Sequence, residues 1–340
     1  MPSPYPAALA RRLLTVPLTW LLLLGTVILL PLAAPAAAVT DLALRRRGWP
    51  TVRMVAFVIT ALWIEVSAHP RILWSWISRP FDPLSWTERN HELMHWWAGR
   101  LIRGAERVVG VHWHVEVPDD LGPGPLLGFS HHVSIVDAIA PVFILGNERG
   151  WFVRYTLTRG LRFDPCLDIV GHRIPNYFVA RGAADNTREL ANLRTLVTDM
   201  DTDEVGVIFP GGGLYTPGGL ARAVEKLTER GSPQAEAAAR YRHVMPPRPG
   251  GVKAFFEGAP SAHVLVIGHV GFEPLASIRR LWRVLPLVDP VEVKAWRYDR
   301  SEVPDGEAEQ MAWLYEKWAV MDDWIAERLR TRSAGAAGPS

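Results

Sequence analysis

Apolar and polar residues alternate in blocks along the chain, and the spacing within each block predicts its secondary structure. Between residues 105 and 300, short apolar runs alternate with segments of helical period, a pattern typical of α/β proteins. The short runs are bounded by turn-forming residues, as strands are. We expect strands at 111–117, 126–130, 151–156, 176–181, 205–210 and 263–270.

Helical spacing of apolar residues marks four further segments. An amphipathic helix is predicted over 88–109, and two others near 135–145 and 185–200. Over 305–330, large apolar side chains recur at helical intervals, which predicts a helix that packs on the core. The tail from Arg332 is rich in small and polar residues, and we expect it to be disordered.

The N-terminal part is the most apolar region, and we interpret it as a membrane anchor. Leu13–Val39 contains no charged residue and is long enough to cross the ~30 Å hydrocarbon core as a helix. Arg11 and Arg12 before it and Ala36–Ala38 inside it also resemble a cleavable signal peptide. Met54–Ile64 is too short to span and predicts an interfacial or re-entrant helix.

The composition fits one globular domain with a membrane anchor. The 340 residues divide into an anchor (1–80), a globular domain (81–330) and a tail (331–340). Several of the 15 Trp residues crowd between Trp63 and Trp97, where an aromatic belt at the membrane surface would lie. The net charge of +2 gives no reason to expect a nucleic-acid partner.

Two features indicate that the globular domain faces the cytoplasm from the cell membrane. Arg45, Arg46 and Arg47 follow the first apolar run, and basic residues next to a membrane segment tend to stay on the cytoplasmic side. Cys166 is the only cysteine, so the chain has no internal disulfide, which favours a reducing compartment.

His132 and Asp137 are the strongest candidates for catalytic residues. They follow the apolar run Leu126–Phe129, a predicted strand, and stand at the start of the predicted helix. Side chains five positions apart do not share a helix face, so the two can meet only if His132 lies in the turn and Asp137 in the first helical turn. A carboxylate that holds one imidazole nitrogen makes a general base suited to activating a hydroxyl group.

The same residues also allow a structural interpretation. Ser134 followed by Asp137 resembles a capping pair, in which the hydroxyl accepts from a free N–H and the acid lies at the positive end of a helix. His131 is a second candidate for the base.

Four motifs, in order, resemble those of the glycerolipid and lysophospholipid acyltransferases. His132-x-Ser134-x-x-Asp137 is similar to the first motif, Asn-His-x-x-x-x-Asp, with His131 in place of Asn. Residues 176–181 resemble the family's second motif, which ends in arginine, and residues 207–216 resemble its Phe-Pro-Glu-Gly-Thr-Arg loop. Residues 240–251 resemble a segment of the 1-acylglycerol-3-phosphate and lysocardiolipin acyltransferase branch.

The resemblance implies a fold and an activity. The fold would be α/β, with a mixed sheet flanked by helices and with N-terminal membrane helices. The reaction would transfer a fatty acyl group from acyl-CoA or acyl carrier protein to a hydroxyl of a lysophospholipid, such as 1-acylglycerol-3-phosphate, in phospholipid biosynthesis or remodelling. Membrane lipids would be its partners, and no metal or other cofactor is implied.

The resemblance also assigns roles to residues. His132 would take the hydroxyl proton and Asp137 would orient it, without a covalent intermediate. Arg181, from the second motif, would bind a substrate phosphate, because its planar guanidinium matches phosphate oxygens. Ser134 would shape the substrate-binding elbow as a cap.

Gly211 and Gly212 are the remaining predicted substrate-binding residues. They belong to three consecutive glycines after a predicted strand, where backbone N–H groups can approach an oxyanion without obstruction from side chains. An ordinary flexible turn is the alternative.

The third motif departs from the family pattern. Gly211, Gly213 and Leu214 stand where the family has Glu, Thr and Arg, so two charges thought to contact the acceptor are missing. The acceptor could be 1-acylglycerol-3-phosphate held by other arginines, such as Arg222 or Arg248, a different lysophospholipid, or a glycolipid.

Two rival interpretations remain. His91-Glu92-Leu93-Met94-His95 matches the His-Glu-x-x-His pattern, in which a helix presents two zinc ligands and a general base. That pattern would make the chain a membrane-anchored zinc metalloprotease. The other rival is a non-catalytic protein that kept an acyltransferase fold while its third motif decayed.

Overall fold

Seven strands form the centre of the computed structural model, which describes residues 7–134, 136–180 and 186–336. The strands are β1 (Trp113–Glu116), β2 (Leu126–Ser130), β3 (Phe152–Thr158), β4 (Tyr177–Val179), β5 (Glu204–Ile208), β6 (His263–Val270) and β7 (Val291–Tyr298). Their order in the single mixed sheet is β1-β7-β6-β2-β5-β3-β4. Every neighbouring pair is parallel except β6 and β7.

The predicted strands agree well with this sheet. The ranges 126–130 and 263–270 match β2 and β6 to the residue, and the other four predicted ranges overlap β1, β3, β4 and β5 with shifted ends. Strand β7 was not predicted. Its signal was present, because Val291, Val293 and Ala295 are buried and alternate with Glu292 and Lys294 at the period of a strand.

Ten α-helices surround the sheet in the described residues. They are α1 (Ala8–Ala43), α2 (Pro50–Ile77), α3 (Trp86–Val109), α4 (Pro165–Val170), α5 (Asn186–Val197), α6 (Pro217–Glu229), α7 (Ala235–Ala239), α8 (Pro249–Gly258), α9 (Ile278–Val284) and α10 (Glu307–Ala336). The helices predicted over 88–109, 185–200 and 305–330 correspond to α3, α5 and α10. Helix α10 continues past Arg332, where a tail was expected, and residues 337–340 lie outside the described residues.

The helix expected at 135–145 is not regular. A 3-10 turn at Val136–Ala138 is followed by a π-helical segment at Val142–Asn147, and Ile135 lies outside the described residues. The Asp137 carboxylate accepts a hydrogen bond from Ser134 N, and the Ser134 hydroxyl accepts one from Asp137 N. These bonds favour a tight turn over a regular helix start.

Apolar side chains cover both faces of the sheet, giving three layers. Along β2, Leu126 packs on the face covered by α2 and α3, whereas Leu127 and Phe129 pack on the face covered by α5, α8 and α10. Since β2, β5 and β6 run parallel, their carboxyl ends meet at one edge of the sheet. The residues that follow β2 and β5 are therefore neighbours in space.

Helices α1 and α2 form an N-terminal hairpin, which exposes the most apolar surface of the molecule. Helices α1 and α2 are both long and apolar enough to cross a membrane by length and composition, and only 17% and 22% of their most apolar windows are buried. Helix α2 extends well beyond the predicted 54–64 segment. It continues because Glu65 turns inward, where its carboxylate accepts hydrogen bonds from Trp97 Nε1 and the Cys166 N–H, both at 2.8 Å.

Candidate functional site

The end of β2 brings His132 and Asp137 into direct contact. His132 lies in the turn after the strand and Asp137 in the 3-10 turn, as the spacing requires. His132 Nδ1 is 2.6 Å from Asp137 Oδ1. The geometry of the predicted base and its carboxylate is therefore present, with Nε2 left as the nitrogen that can meet a substrate.

Backbone N–H groups hold the Asp137 carboxylate in place. Its second oxygen, Oδ2, accepts hydrogen bonds from Val133 N at 2.6 Å and Ser134 N at 2.8 Å, and the side chain is fully buried. A buried carboxylate with fixed donors cannot rotate away from the imidazole. It selects the tautomer with a proton on Nδ1 and stabilises the imidazolium that forms when Nε2 takes a proton.

Ser134 has the capping geometry that the sequence suggests. Its Oγ accepts from Val136 N at 3.1 Å and from Asp137 N at 3.3 Å, and the residue is buried. Ser134 therefore supports the elbow from within the protein, and a direct contact with substrate stays a prediction.

His132 itself is held by the loop that follows β5. Its ring stacks on Phe209 with a centroid distance of 4.3 Å, and its carbonyl accepts a hydrogen bond from Tyr215 N at 2.7 Å. The His132 side chain is 12% exposed. Phe209 and Asp137 thus orient the imidazole, Tyr215 holds the His132 backbone, and part of the side chain remains exposed.

His131 is poorly suited to be the base. It is 3% exposed, and burial, followed by the neighbouring His269 imidazole, holds the pKa of His131 well below its usual range. A buried imidazole with so low a pKa takes up a proton with difficulty at neutral pH. Of the two adjacent histidines, the structure favours His132.

His269, near the end of β6, is a site residue that the sequence analysis does not identify. Its Nε2 lies 3.0 Å from the His131 carbonyl oxygen and 3.6 Å from Asp137 Oδ2. The residue is 2% exposed. A histidine inside an otherwise apolar strand was the only signal in the sequence, and the parallel pairing of β2 with β6 is what brings it behind the carboxylate.

The predicted glycine loop lies beside His132, but its N–H groups are not all available. Gly212 has a positive φ of 70° and its N–H donates to the Phe209 carbonyl at 3.1 Å. That N–H is therefore already engaged, which leaves Gly211 to provide the predicted oxyanion contact. Gly211 is buried, and a Cβ added there would lie 2.7 Å from Met245 Cβ. The glycines thus allow a neighbouring segment to pack closely.

Arg181 lies outside the described residues, so its predicted phosphate contact stays a prediction. The strand before it, β4, is at the edge of the sheet and pairs with β3. The second motif is thus on the same sheet as the elbow, three strands away from β2 in the strand order.

The His-Glu-x-x-His segment forms a different environment on α3. His91 is 1% exposed, whereas Glu92 faces solvent. Burial, followed by the charges that His95 and Arg154 can carry, lowers the pKa of His91 to about 3. Because Glu92 points away from His91, the three residues do not face one common site, and the geometry gives no support to the protease interpretation.

An apolar cavity of about 180 Å³ lies beside the elbow, between α3 and the sheet. Ala138 and Ile139, the residues directly after Asp137, form part of its wall. Its wall is mostly aliphatic and aromatic, with four polar members, His91, His95, Asp164 and Asn176. The apolar members include Met94, Trp97, Ala98, Leu101, Val142, Val153, Tyr155, Leu157, Leu161, Leu167 and Ile174. Such a cavity is suited to a flexible hydrocarbon chain.

Comparison with solved structures identifies a similar fold. The chain is similar to the 1-acyl-sn-glycerophosphate (LPA) acyltransferase PlsC from Thermotoga maritima, with a TM-score of 0.52 and 13% sequence identity over 82% of this chain and 96% of that one. No protein-family model matches the chain. The chain therefore has the fold of an acyltransferase of the PlsC kind, a mixed sheet flanked by helices, and the resemblance predicted from the motifs is confirmed for the fold.

Proposed function

We propose that the protein is a membrane-associated O-acyltransferase that moves a fatty acyl group from a thioester to a hydroxyl of a glycerolipid. The contact between His132 and Asp137 at 2.6 Å, beside an apolar cavity, carries this proposal. It is supported by the PlsC-like fold, since that neighbour is an acyltransferase for 1-acyl-sn-glycerophosphate.

His132 and Asp137 account for the proton transfers of such a reaction. His132 Nε2 takes the proton of the acceptor hydroxyl as its oxygen attacks the thioester carbonyl carbon. The tetrahedral intermediate then collapses, the C–S bond breaks, and the imidazolium returns the proton to the thiolate. Asp137 stays ionised and stabilises the imidazolium throughout. The products are an ester and a free thiol, and no other reactant is needed.

The acyl chain of the donor would occupy the cavity next to Asp137. Its carbonyl carbon would then lie near His132, because Ala138 and Ile139, which follow Asp137, line the cavity. Burying a hydrocarbon chain contributes about 0.8 kcal/mol for each CH₂ group, so this cavity would supply most of the donor affinity. Acyl-CoA and acyl carrier protein both present such a thioester, and 1-acylglycerol-3-phosphate is the acceptor we propose first.

The N-terminal hairpin would lie within the cytoplasmic leaflet of the cell membrane. Helix α1 is about 54 Å long, yet both of its ends contact the catalytic domain. At its start, Arg12 Nε is 2.9 Å from Asp168 Oδ2, and just beyond its end Arg46 Nη2 donates to the Trp282 carbonyl at 2.9 Å. A helix fastened at both ends lies along the domain, so its exposed apolar face would meet lipid from one side.

The test is acyl transfer by membranes that contain the full chain. Radiolabelled palmitoyl-CoA or palmitoyl-acyl carrier protein is supplied with a panel of lysophospholipids and glycolipids, with and without a zinc chelator. We expect a labelled product with 1-acylglycerol-3-phosphate that ignores the chelator. His132→Ala should lower the rate by about 10³-fold, because general base catalysis contributes 10²–10⁴-fold. His114→Ala is the matched control, since His114 is exposed on β1.

Other outcomes point to the rivals. No product with any acceptor or donor would favour a non-catalytic protein with this fold. Proteolysis that is abolished by the chelator and by His91→Ala would favour the metalloprotease. Transfer that survives His132→Ala would contradict the proposed mechanism.

A further inference from the structure

The segment before α8 packs directly against the glycine loop. Arg248 N donates to the Pro210 carbonyl at 2.9 Å. The Arg248 side chain crosses Gly212 so closely that a Cβ added to that glycine would lie 2.7 Å from its Cζ and Nε atoms. The Arg248 backbone is therefore attached to the loop at Pro210, and its guanidinium lies close against Gly212.

This loop contacts His132 on both sides of Gly212. Phe209, three residues earlier, stacks on the His132 ring, and Tyr215, three residues later, donates its N–H to the His132 carbonyl. The Arg248 guanidinium is consequently attached to the same short loop that holds the proposed base. A group bound by it would lie beside the loop that contacts His132.

Arg248 is exposed and differs from the arginines near it in sequence. Arg240 pairs with Glu236, and Arg242 pairs with Asp323 at 2.6 Å. Among the described residues, Arg248 forms no ion pair with a carboxylate. Its charge is therefore available to an anion from solution.

We propose that Arg248 binds a phosphate ester of the substrate. This inference rests on the proposed function, since it names a phosphate-bearing substrate for the same site. A guanidinium presents donors in a planar fork that matches two phosphate oxygens. The phosphate belongs either to the acceptor, as in 1-acylglycerol-3-phosphate, or to the CoA of the donor.

The proposed role of Arg248 also explains the glycines of the loop. Leu214 stands where the third motif of the family has arginine. Gly211 and Gly212 leave space that the segment 245–248 fills. A cation from another part of the chain thus reaches the loop through the room that the glycines provide.

The test measures binding, so that it does not depend on turnover. Tryptophan fluorescence of the full chain in neutral detergent micelles follows titration with 1-oleoylglycerol 3-phosphate, 1-oleoylglycerol, CoA and pantetheine. Arg248→Ala should weaken one of the two phosphate-bearing ligands by at least about tenfold, because a charged hydrogen bond contributes 1.5–3 kcal/mol. Arg248→Lys should restore part of that affinity. Neither ligand without phosphate should be affected.

The two phosphate-bearing ligands distinguish the source of the phosphate. Weaker binding of 1-oleoylglycerol 3-phosphate alone assigns Arg248 to the acceptor, and weaker binding of CoA alone assigns it to the donor. Arg240→Ala, in the same part of the chain but already paired, is the matched control. Equal affinities of the wild type and Arg248→Ala for both ligands would overturn the inference. Loss of the proposed function would show instead as turnover that is absent or independent of His132.

Discussion

Two histidine motifs in this chain each suggest chemistry as sequence, the elbow pair more strongly, and their surroundings separate them further. In the elbow, His132 contacts a buried carboxylate at 2.6 Å and is partly open to solvent. On α3, His91 is buried beside an apolar cavity while the glutamate next to it faces away. A buried carboxylate contacts the first imidazole, and among the described residues no carboxylate pairs with the second.

This difference shows what separates a histidine beside a fixed carboxylate from one that is buried without a charged partner. A buried imidazole without a counter-charge loses its affinity for protons, as the pKa of about 3 for His91 shows. A carboxylate in contact, itself fixed by backbone N–H groups, opposes that loss. The two histidines differ in the direction and burial of the nearby carboxylate, which a sequence motif does not specify.

Replacing the carboxylate should have the largest effect on this comparison. In Asp137→Asn, the amide oxygen can keep the Val133 and Ser134 N–H bonds only if its NH₂ faces His132 Nδ1, which selects the wrong tautomer. We expect the transfer rate constant to fall by about 10²-fold or more. Single-turnover assays with labelled acyl-CoA measure it, and Asp119→Asn, at an exposed position, is the control. An unchanged rate would mean that Asp137 only caps the turn.

Filling the cavity should change chain-length preference without affecting the chemistry. Leu101 is half-buried on α3 and lines the cavity. Leu101→Trp should lower kcat/KM for palmitoyl-CoA by about tenfold, since pocket size discriminates by 1–3 kcal/mol per methylene, and should leave octanoyl-CoA unaffected. Arg100→Trp, on an exposed neighbour, is the control. Equal loss with both donors would place the acyl chain elsewhere.

Replacing His91 should change the acid stability of the fold more than the rate of acyl transfer. Because the pKa of His91 is about 3 in the folded protein against 6.5 ordinarily, the unfolded state binds the extra proton between these values. Above pH 6.5 neither state binds this proton, and the free energy of unfolding is unaffected by protonation of His91. As the pH falls from 6.5 towards 3, only the unfolded state binds it, and the free energy of unfolding decreases. His91→Phe should therefore reduce the acid loss of stability by up to about 1.4 kcal/mol per pH unit, measured by urea unfolding in micelles.

The effect of the same variant on transfer should be the smallest of all. We expect His91→Phe to change kcat by less than about threefold, because His91 lines the proposed acyl cavity, where phenylalanine keeps an aromatic ring, and does not contact the proposed reacting atoms. Glu92→Ala, on the exposed side of α3, should change neither the rate nor the acid stability. A large loss of transfer rate in either variant would contradict this prediction and show that α3 contributes to the reaction.

Much of the fold was predictable because its signals are local. Strands β2 and β6 are continuous apolar runs bounded by turns, and their ends were predicted to the residue. The elbow pair was predictable for the same reason, since His132 and Asp137 are close enough in sequence to be joined by one turn. Strand β7 was missed even though its alternation was visible.

The sequence by itself determined six of the seven strands, the apolar N-terminal segment and the paired imidazole and carboxylate, because each depends on residues a few positions apart. Only the tertiary structure decided that His269 lies behind Asp137, that Arg248 crosses Gly212, and that Glu92 faces solvent. These contacts join segments far apart in the chain or depend on which face of a helix is covered. They follow from how the sheet and its helices pack together, which spacing along the chain does not specify.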